Sequence, residues 1–166
     1  MQYCSSLYAV RSIEAAKTFY QEVLGQTIIL DHGANVTFQG GFALQEGFAD
    51  LVGFPGENLR WKPWNGELYF ESEDLDADAA RVKQAGVELV HDIKEYPWGQ
   101  RVLRFFDPDG NLIEIGESMR SVGLRYLAQG MSDEEVAQRT QHPIELVRLW
   151  KQGQYKRGQP IPMSLN

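Results

Sequence analysis

SSLYAVRSIEAAKTFYQEVLG, residues 5–25, returns later in the chain in altered form as ELYFESEDLDADAARVKQAG, residues 67–86. In each copy a short apolar segment leads through a polar turn into a helical segment that ends at a glycine. Ser12 and Asp74 are suitable N-caps, because their side-chain oxygens accept hydrogen bonds from the first free backbone N–H groups of a helix. Glycine readily takes the left-handed conformation that ends a helix. The chain is therefore predicted to contain two copies of one structural unit.

Three short β-like segments follow each predicted helix, and the turns between them contain glycine, as tight hairpins require. The last turn reads DPDG at residues 107–110, where proline suits the first corner and glycine can take a positive φ. Each copy is therefore predicted to be a βαβββ module. The six β-like segments are residues 27–31, 35–38 and 42–45 in the first copy and residues 87–91, 101–106 and 111–116 in the second.

The C-terminal part of the chain is predicted to be helical. Residues 132–135 have the pattern of a capping box that opens a helix to about Arg139, and Pro143 suits the first turn of another helix that ends near Trp150. Residues 153–166 are expected to form a loose end. The fold class is therefore α+β, in four segments: a first βαβββ module at 1–47, a connecting segment at 48–66, a second βαβββ module at 67–117 and a C-terminal helical extension at 118–166.

The composition excludes several classes of protein. Hydrophobic residues make up 43% and charged residues 23% of the chain, which is typical of globular domains and not of disordered, collagenous or disulfide-stapled chains. No apolar run approaches the roughly 20 residues that cross a bilayer, and the N-terminus has no pattern of an export signal. We therefore expect a cytoplasmic protein without a membrane partner, in agreement with a single cysteine, Cys4.

The charge distribution disfavours nucleic acid as a partner. The formal net charge is −7, and residues 1–116 contain 9 Lys and Arg against 18 Asp and Glu. Such a surface repels phosphates. Residues 130–150 resemble the short helix-turn-helix segments of small bacterial proteins, but their second helix offers chiefly Arg148 and Lys151 for contact with DNA.

Three motifs make a family recognisable: VRSIEAAKTFYQEVLG at 10–25, EYPWGQRV at 95–102 and FFDPDGNLIEIGE at 105–117. Together with the tandem modules, they resemble the vicinal oxygen chelate superfamily, the group of glyoxalases, bleomycin-resistance proteins and extradiol dioxygenases. The resemblance covers about residues 5–117 and leaves the helical extension outside. It implies that the sheets of the two modules wrap around a cleft that binds a small molecule. We also expect a homodimer, because edge strands and an apolar tail helix need cover.

The resemblance implies a divalent metal (Zn, Ni, Mn or Fe) held by side chains from four strand positions. These positions fall on Ser5, approximately Leu44, Glu67 and Glu114. The ligand set is incomplete, because leucine offers no ligand atom and serine is a poor ligand. Residues that would complete it, if the local register differed by one position, are Gln45, Glu46 and His91.

Glu67 and Glu114 have two interpretations. In the first they are metal ligands, or one of them is a general base with a raised pKa. In the second they are solvated or arginine-paired groups on an open sheet face, with Arg101 or Arg104 as the partner. The residue types alone leave both interpretations open.

Further candidate site residues follow from strand periodicity and from the aromatic content. If Glu67 faces the cleft, Tyr69 and Glu71 face it too, and these two are the candidate catalytic residues, with Glu71 as the base. Aromatic rings can sandwich a planar ligand. The candidate substrate-binding residues are Trp61, Trp64, Trp98 and Arg101.

Two main functions remain open from the sequence. One is a glyoxalase-like enzyme, of the lyase, isomerase or dioxygenase type, that acts on a carbonyl or oxygen-rich substrate; a metal in it would be a Lewis acid. The other is a non-catalytic protein of the bleomycin-resistance type that binds or sequesters a small molecule. A third and weaker hypothesis is a regulator that couples ligand binding to the helical extension. None of these three functions requires a nucleotide cofactor.

Overall fold

The computed structural model describes residues 1–155, so most of the predicted loose end lies outside the described residues. The strands are β1 (Ser6–Val10), β2 (Ile28–Asp31), β3 (Asn35–Phe38), β4 (Phe42–Glu46), β5 (Leu68–Ser72), β6 (Leu89–Glu95), β7 (Arg101–Phe106) and β8 (Leu112–Glu117). The helices are α1 (Ile13–Thr18), α2 (Phe48–Val52), α3 (Leu75–Gln84), α4 (Met119–Ala128), α5 (Asp133–Thr140) and α6 (Ile144–Lys151), with a π-helical turn at Phe19–Val23 and a 3₁₀ turn at Gly56–Asn58.

Two four-stranded sheets have the same strand order. It is β1-β4-β3-β2 in the first sheet and β5-β8-β7-β6 in the second. In the first sheet β1 pairs with β4 in parallel, and the other pairs are antiparallel. The predicted α+β fold of two βαβββ modules followed by C-terminal helices is thereby confirmed. The connecting segment, predicted without elements, contains α2 and the 3₁₀ turn.

The described chain separates into two compact units. The first contains residues 1–68, 76–90 and 104–114, and the second contains residues 69–75, 91–103 and the described residues from 115 on. The module boundaries drawn from the sequence repeat stay a prediction.

Aromatic rings form the centre of the first unit. Tyr20 lies with its ring centroid 5.5 Å from those of both Phe38 and Phe42, which stack on each other at 4.8 Å. The predicted N-cap is confirmed, since the hydroxyl of Ser12 accepts from the N–H of Ala15. After the π-helical turn the chain reverses at Gly25, whose φ of +64° is the left-handed conformation expected at a helix end.

Hydrogen bonds of Asp107 connect the DPDG turn to this core. One carboxylate oxygen accepts from the N–H groups of Asp109 and Asn111, at 2.9 and 2.7 Å. The other accepts from the hydroxyl of Tyr20, at 2.9 Å, and from the side-chain amide of Asn111, at 2.8 Å. Burial raises the pKa of Asp107 above its ordinary value although these hydrogen bonds oppose the shift. Burial, and then the charge of Asp107, raises the pKa of Tyr20 well above its ordinary value.

The helical extension has its own apolar core in the second unit. The predicted capping box is confirmed, because the hydroxyl of Ser132 accepts from the N–H of Glu135 while the carboxylate of Glu135 accepts from the N–H of Ser132. Pro143 lies one position before α6 rather than in its first turn. Gly123 of α4 permits the close approach of Trp150, since a Cβ there would lie 2.6 Å from the indole ring. The core residues are Val122, Tyr126, Val136, Leu146, Val147 and Trp150.

No helix within residues 1–155 is both long enough and apolar enough to cross a membrane.

Removing the hydroxyl of Tyr20 tests the hydrogen bond that connects the DPDG turn to the aromatic core. We expect Tyr20→Phe to lower the free energy of unfolding by about 1–2 kcal/mol, because the buried carboxylate of Asp107 loses a donor. Tyr3→Phe is the matched control, since Tyr3 is 75% exposed and its hydroxyl lies 2.6 Å from the hydroxyl of Ser6 rather than against a buried carboxylate. Urea denaturation measures both variants, and equal stabilities would contradict the role given to this hydrogen bond.

Candidate functional site

Glu67 and Glu114, the two carboxylates predicted to hold a metal, converge on one guanidinium group in the first unit. Glu67 directly precedes β5, Glu114 lies in β8 and Arg104 lies in β7. Nε of Arg104 donates to Glu67 Oε2 at 3.0 Å, and Nη2 of the same side chain donates to Glu114 Oε2. The side chain of Glu114 is 8% exposed, so its charge needs a partner within the protein. Arg104 supplies that partner.

The first-module positions of the implied metal site offer no usable ligand. Leu44 is fully buried in β4, and the exposed Ser5 donates its hydroxyl to the carbonyl oxygen of Ser6 at 2.9 Å. Glu46 accepts from the N–H of Ile13, at 2.7 Å, and thereby caps α1. These positions therefore add no metal ligand to Glu67 and Glu114.

Gln45 and His91, the two other residues that could complete the ligand set, are also in other contacts. The side-chain oxygen of Gln45 accepts from the side-chain amide of Asn35 at 2.9 Å. His91 lies in the second unit, with Nδ1 2.8 Å from the carbonyl oxygen of Asp92. Within the described part of the chain, no group of three or more His, Cys, Asp or Glu side chains could hold a metal ion. A cation between Glu67 and Glu114 would also meet the charge of Arg104, so the residues present do not fit a metal site.

A buried amide organises the predicted residues Tyr69 and Trp98 in the second unit. The indole N–H of Trp98 donates to Oε1 of Gln100 at 3.0 Å. Nε2 of Gln100 donates to the hydroxyl of Tyr69 at 3.0 Å and to the carbonyl oxygen of Glu117 at 2.9 Å. Tyr96 stacks on Trp98 at 5.0 Å. We call Tyr69, Tyr96, Trp98 and Gln100 the aromatic surface.

One ring of the aromatic surface is exposed to solvent and lies over a glycine, which has no side chain. Tyr69 is 47% exposed. Its ring lies above Gly116 of β8, where a Cβ would come within 2.9 Å of the ring. Gln100 was not singled out from the sequence, although it lies inside the quoted EYPWGQRV motif. An amide directly after a Pro-Trp-Gly turn is the signal that could have indicated it.

Arg101, a predicted substrate-binding residue, contacts a buried carboxylate. Its Nε and Nη2 each lie 3.3 Å from an oxygen of Glu117. Arg125 of α4 donates to the same carboxylate at 3.0 Å and to the carbonyl oxygen of Gly99 at 2.6 Å. Burial raises the pKa of Glu117, but the hydrogen bonds from Arg125 and Arg101 outweigh burial and leave that pKa below its ordinary value. Sequence reasoning missed this network, because α4 contributes half of it.

The two other predicted aromatic residues lie in the first unit. The guanidinium of Arg11 lies 3.8 Å from the ring centroid of Trp61. Trp64 contacts Phe106 edge to face, with ring centroids 4.9 Å apart, and is 62% exposed. Each of these rings therefore has a packing partner of its own.

Glu71, the predicted base, lies within β5 and has a different environment from Glu67, which precedes that strand. It accepts from the hydroxyl of Tyr69 at 3.4 Å. It also lines a cavity of about 340 Å³ in the second unit. We call this cavity the tail cavity; its lining includes Glu71, Glu73, Arg120, His142, Leu146 and Trp150.

The basic residues of α6 are paired with acidic residues of α5. Lys151 lies 2.8 Å from Asp133, and Arg148 lies 3.6 Å from both Asp133 and Glu134. These ion pairs neutralise the two charges that the sequence offered for contact with phosphates.

Comparisons with known proteins agree with this fold. A family model for a glyoxalase-like domain matches residues 3–120. A protein of unknown function from Agrobacterium tumefaciens str. C58 is 38% identical, with a TM-score of 0.61, over 71% of this chain and 94% of its own. No curated protein matches the chain in sequence.

Two more distant structures share the fold alone. The fosfomycin resistance protein FosX from Listeria monocytogenes is 19% identical, with a TM-score of 0.55, over 71% of this chain and 93% of its own. A lactoylglutathione lyase from Agrobacterium tumefaciens is 23% identical, with a TM-score of 0.53, over 70% of this chain and 93% of its own.

The Glu117 network makes a prediction about stability and pH. We expect Glu117→Gln to lower the free energy of unfolding at pH 7 by about 1–3 kcal/mol, because it removes a largely buried carboxylate from two guanidinium groups. Since the folded-state pKa of Glu117 is lowered, its contribution is complete above the unfolded-state pKa of about 4.3 and disappears as the pH falls through the folded-state pKa.

Chemical denaturation of the wild type and the variant between pH 7 and pH 3 measures the difference. Glu88→Gln is the control, because Glu88 is 63% exposed, pairs with Lys62 and should change stability by less than about 1 kcal/mol. A difference between wild type and Glu117→Gln that stays constant or grows on acidification would contradict the assignment.

Proposed function

This chain belongs to the glyoxalase-like domain family, and from that premise we propose that it binds and sequesters a small organic molecule without a metal ion. The observation that carries the proposal is the guanidinium of Arg104 between Glu67 and Glu114. These are the carboxylates that the family resemblance assigns to a divalent cation. Here a fixed monovalent cation of the chain itself contacts both.

Arginine is well suited to replace a metal permanently. Its guanidinium stays protonated throughout the physiological pH range, so no pH change within that range removes its positive charge from the two carboxylates. Two carboxylates alone would hold a divalent cation weakly, and the cation would first have to displace Arg104. The same arrangement weakens the hypothesis of a metal-assisted enzyme.

The aromatic surface supports a flat, cationic ligand. The exposed ring of Tyr69 and the stacked pair of Tyr96 and Trp98 offer π-faces that attract planar molecules and cations. Gln100 holds Tyr69 and Trp98 by hydrogen bonds, so their positions exist before a ligand arrives. The net charge of −7 favours the approach of a cation.

A glyoxalase-like enzyme is the second candidate, and one contact favours it. The hydroxyl of Tyr69 lies 3.4 Å from a carboxylate oxygen of Glu71, so a base and a hydrogen-bonding group lie side by side. In this candidate Glu71 removes a proton next to a carbonyl group, and Tyr69 and Arg101 position the substrate. Turnover of α-ketoaldehydes or their thiol adducts, lost in Glu71→Gln, would favour the enzyme and count against sequestration.

The homodimer and the cytoplasmic location stay predictions. Ile29 and Leu30 of the edge strand β2 are 61% and 49% exposed, and such a strand favours pairing with a second copy.

Replacing Arg104 tests whether it occupies the place of the metal. We expect no saturable binding of Zn²⁺, Ni²⁺, Mn²⁺ or Fe²⁺ to the wild type below about 1 mM in calorimetric titrations. Arg104→His removes the guanidinium and adds a third ligand beside Glu67 and Glu114, so it should bind Zn²⁺ at least about tenfold more tightly. The gain should be lost again when Glu67→Gln is added.

Arg101→His is the matched control, since Arg101 contacts Glu117 and should create no such site. One zinc ion per wild-type chain, bound tightly and lost in Glu67→Gln, would overturn the proposal.

Tryptophan fluorescence tests the aromatic surface as the binding site. We expect a flat cation, for which N-methylacridinium is the probe, to quench the emission saturably with one molecule bound per chain. Trp98→Phe should weaken this binding at least about tenfold, because the stacked indole is the larger part of the contact. Trp64→Phe, at an exposed ring of the first unit, is the control and should bind the probe like the wild type. Equal binding by wild type and Trp98→Phe would contradict the assignment.

A further inference from the structure

The helical extension contacts the turn that carries part of the aromatic surface. This turn spans residues 96–99 and joins β6 to β7, and the N–H of Gly99 donates to the carbonyl oxygen of Tyr96 at 2.8 Å. The contacts come from Arg125 and Tyr126, two successive residues of α4. The family match ends at residue 120, so both residues lie beyond it. This chain therefore supports the turn with residues from outside the matched domain.

Arg125 contacts the turn at its buried end. Gly99 is buried, and Nη2 of Arg125 donates to the carbonyl oxygen of Gly99 at 2.6 Å. A buried carbonyl group without a donor destabilises the conformation that buries it. The carboxylate of Glu117 accepts from Nη2 and Nε of the same guanidinium, at 3.0 and 3.3 Å, and keeps it oriented. Arg125 therefore stabilises the position of Gly99.

Tyr126 occupies the space in which another residue at position 99 would place its side chain. A Cβ on Gly99 would lie 2.4 Å from the ring of Tyr126, and the φ of +87° at this position also favours glycine. The tyrosine itself is 7% exposed and belongs to the core of the extension. The turn therefore cannot move toward α4 without displacing a packed ring.

Glu95, directly before the turn, also contacts the extension. Its carboxylate accepts from the hydroxyl of Tyr126 at 2.9 Å, and it lies 3.4 Å from Arg125 and 3.9 Å from Arg139 of α5. Glu95 ends β6, and Gly99 ends the turn. The extension therefore contacts the chain on both sides of the two aromatic rings of the turn.

These contacts bear on ligand binding because the stacked rings lie between them. Tyr96 stacks on Trp98, and the indole N–H of Trp98 donates to Gln100, the residue that follows Gly99. A ligand that uses the stacked pair binds only chains whose turn has this shape. Its apparent affinity falls in proportion to the fraction of chains in that shape. An element that stabilises the turn therefore raises the affinity.

We propose that Arg125 and Tyr126 are positioning residues of the aromatic surface: helix α4 holds the turn at 96–99 in the shape that stacks its two aromatic rings. Both residues act through Gly99 and Glu95 rather than by touching a ligand. This inference rests on the function proposed above, in which the aromatic surface binds a flat cation.

The indole N–H signals of the ligand-free, full ¹⁵N-labelled chain test the effect on the turn. The chain has four tryptophans, so three single variants assign all four signals: Trp61→Phe, Trp64→Phe and Trp98→Phe.

Arg125→Met keeps the length of the side chain and removes its donors. We expect the Trp98 signal to move upfield and its hydrogen to exchange with solvent at least about tenfold faster, since the bond to Gln100 forms less often. The Trp150 signal, from the core of the extension, should stay in place. A merely destabilised extension would move the Trp150 signal as well.

Binding of N-methylacridinium, followed by fluorescence quenching, tests the consequence for the ligand. Arg125→Met should weaken binding at least about tenfold. Tyr126→Phe keeps the packed ring and loses the hydrogen bond to Glu95, so it should weaken binding about threefold. Arg120→Met is the matched control, because Arg120 lies at the start of the same helix, contacts Glu73 at 3.5 Å and should bind the probe like the wild type.

The outcomes separate this inference from the proposed function. A wild-type Trp98 signal in Arg125→Met, or equal loss of binding in Arg125→Met and Arg120→Met, would overturn the inference. If Arg125→Met does not fold, Tyr126→Phe decides by the same two measurements, and wild-type values in it would overturn the inference. A wild type that does not bind the probe would overturn the proposed function instead, whereas a displaced Trp98 signal in Arg125→Met would still support the positioning role.

Discussion

The contact of Arg104 with Glu67 and Glu114 is the constraint on which the functional account depends. A carboxylate as buried as Glu114 needs a nearby positive charge, because burial of an unpaired charge destabilises the folded state. A divalent cation and a guanidinium both meet this need, but they have different consequences for chemistry. A metal accepts electron pairs from a substrate, whereas a guanidinium only donates hydrogen bonds. This difference is the reason for proposing that the chain binds a ligand without metal-assisted chemistry.

At two other places as well, a buried polar side chain makes its hydrogen bonds within the chain. Asp107 connects the DPDG turn to Tyr20 of the aromatic core. Gln100 connects Trp98 to Tyr69 and to the backbone at Glu117. Each of these side chains joins a turn to a more distant part of the same unit.

The sequence predicts the fold well, because its signals are local. The repeated helix that ends at glycine, the Ser12 cap, the capping box at residues 132–135 and the DPDG turn each depend on neighbours a few residues away, and all are present in the structure. Helix α4 was not predicted separately, because Met119–Ala128 has neither a capping box nor a strong apolar stripe. Its absence from the prediction also hid the partnership of Arg125 with Glu117.

The site was predictable only in part. Strand alternation groups Glu67, Tyr69 and Glu71 on one side of β5, but it does not say which arginine of β7 reaches the carboxylates. The residue types left Arg101 and Arg104 as equal partners, and the structure assigns Arg101 to Glu117 and Arg104 to the predicted ligands. The tail cavity was beyond sequence reasoning, since Glu71 and Trp150 lie far apart in the chain.

A crystal structure of the chain grown with excess zinc chloride tests the central claim most directly, through an anomalous difference map recorded at the zinc edge. The account predicts the guanidinium of Arg104 between Glu67 and Glu114, with no anomalous peak at that place. A zinc peak about 2.0–2.2 Å from oxygens of both glutamates, with Arg104 turned away, would contradict it.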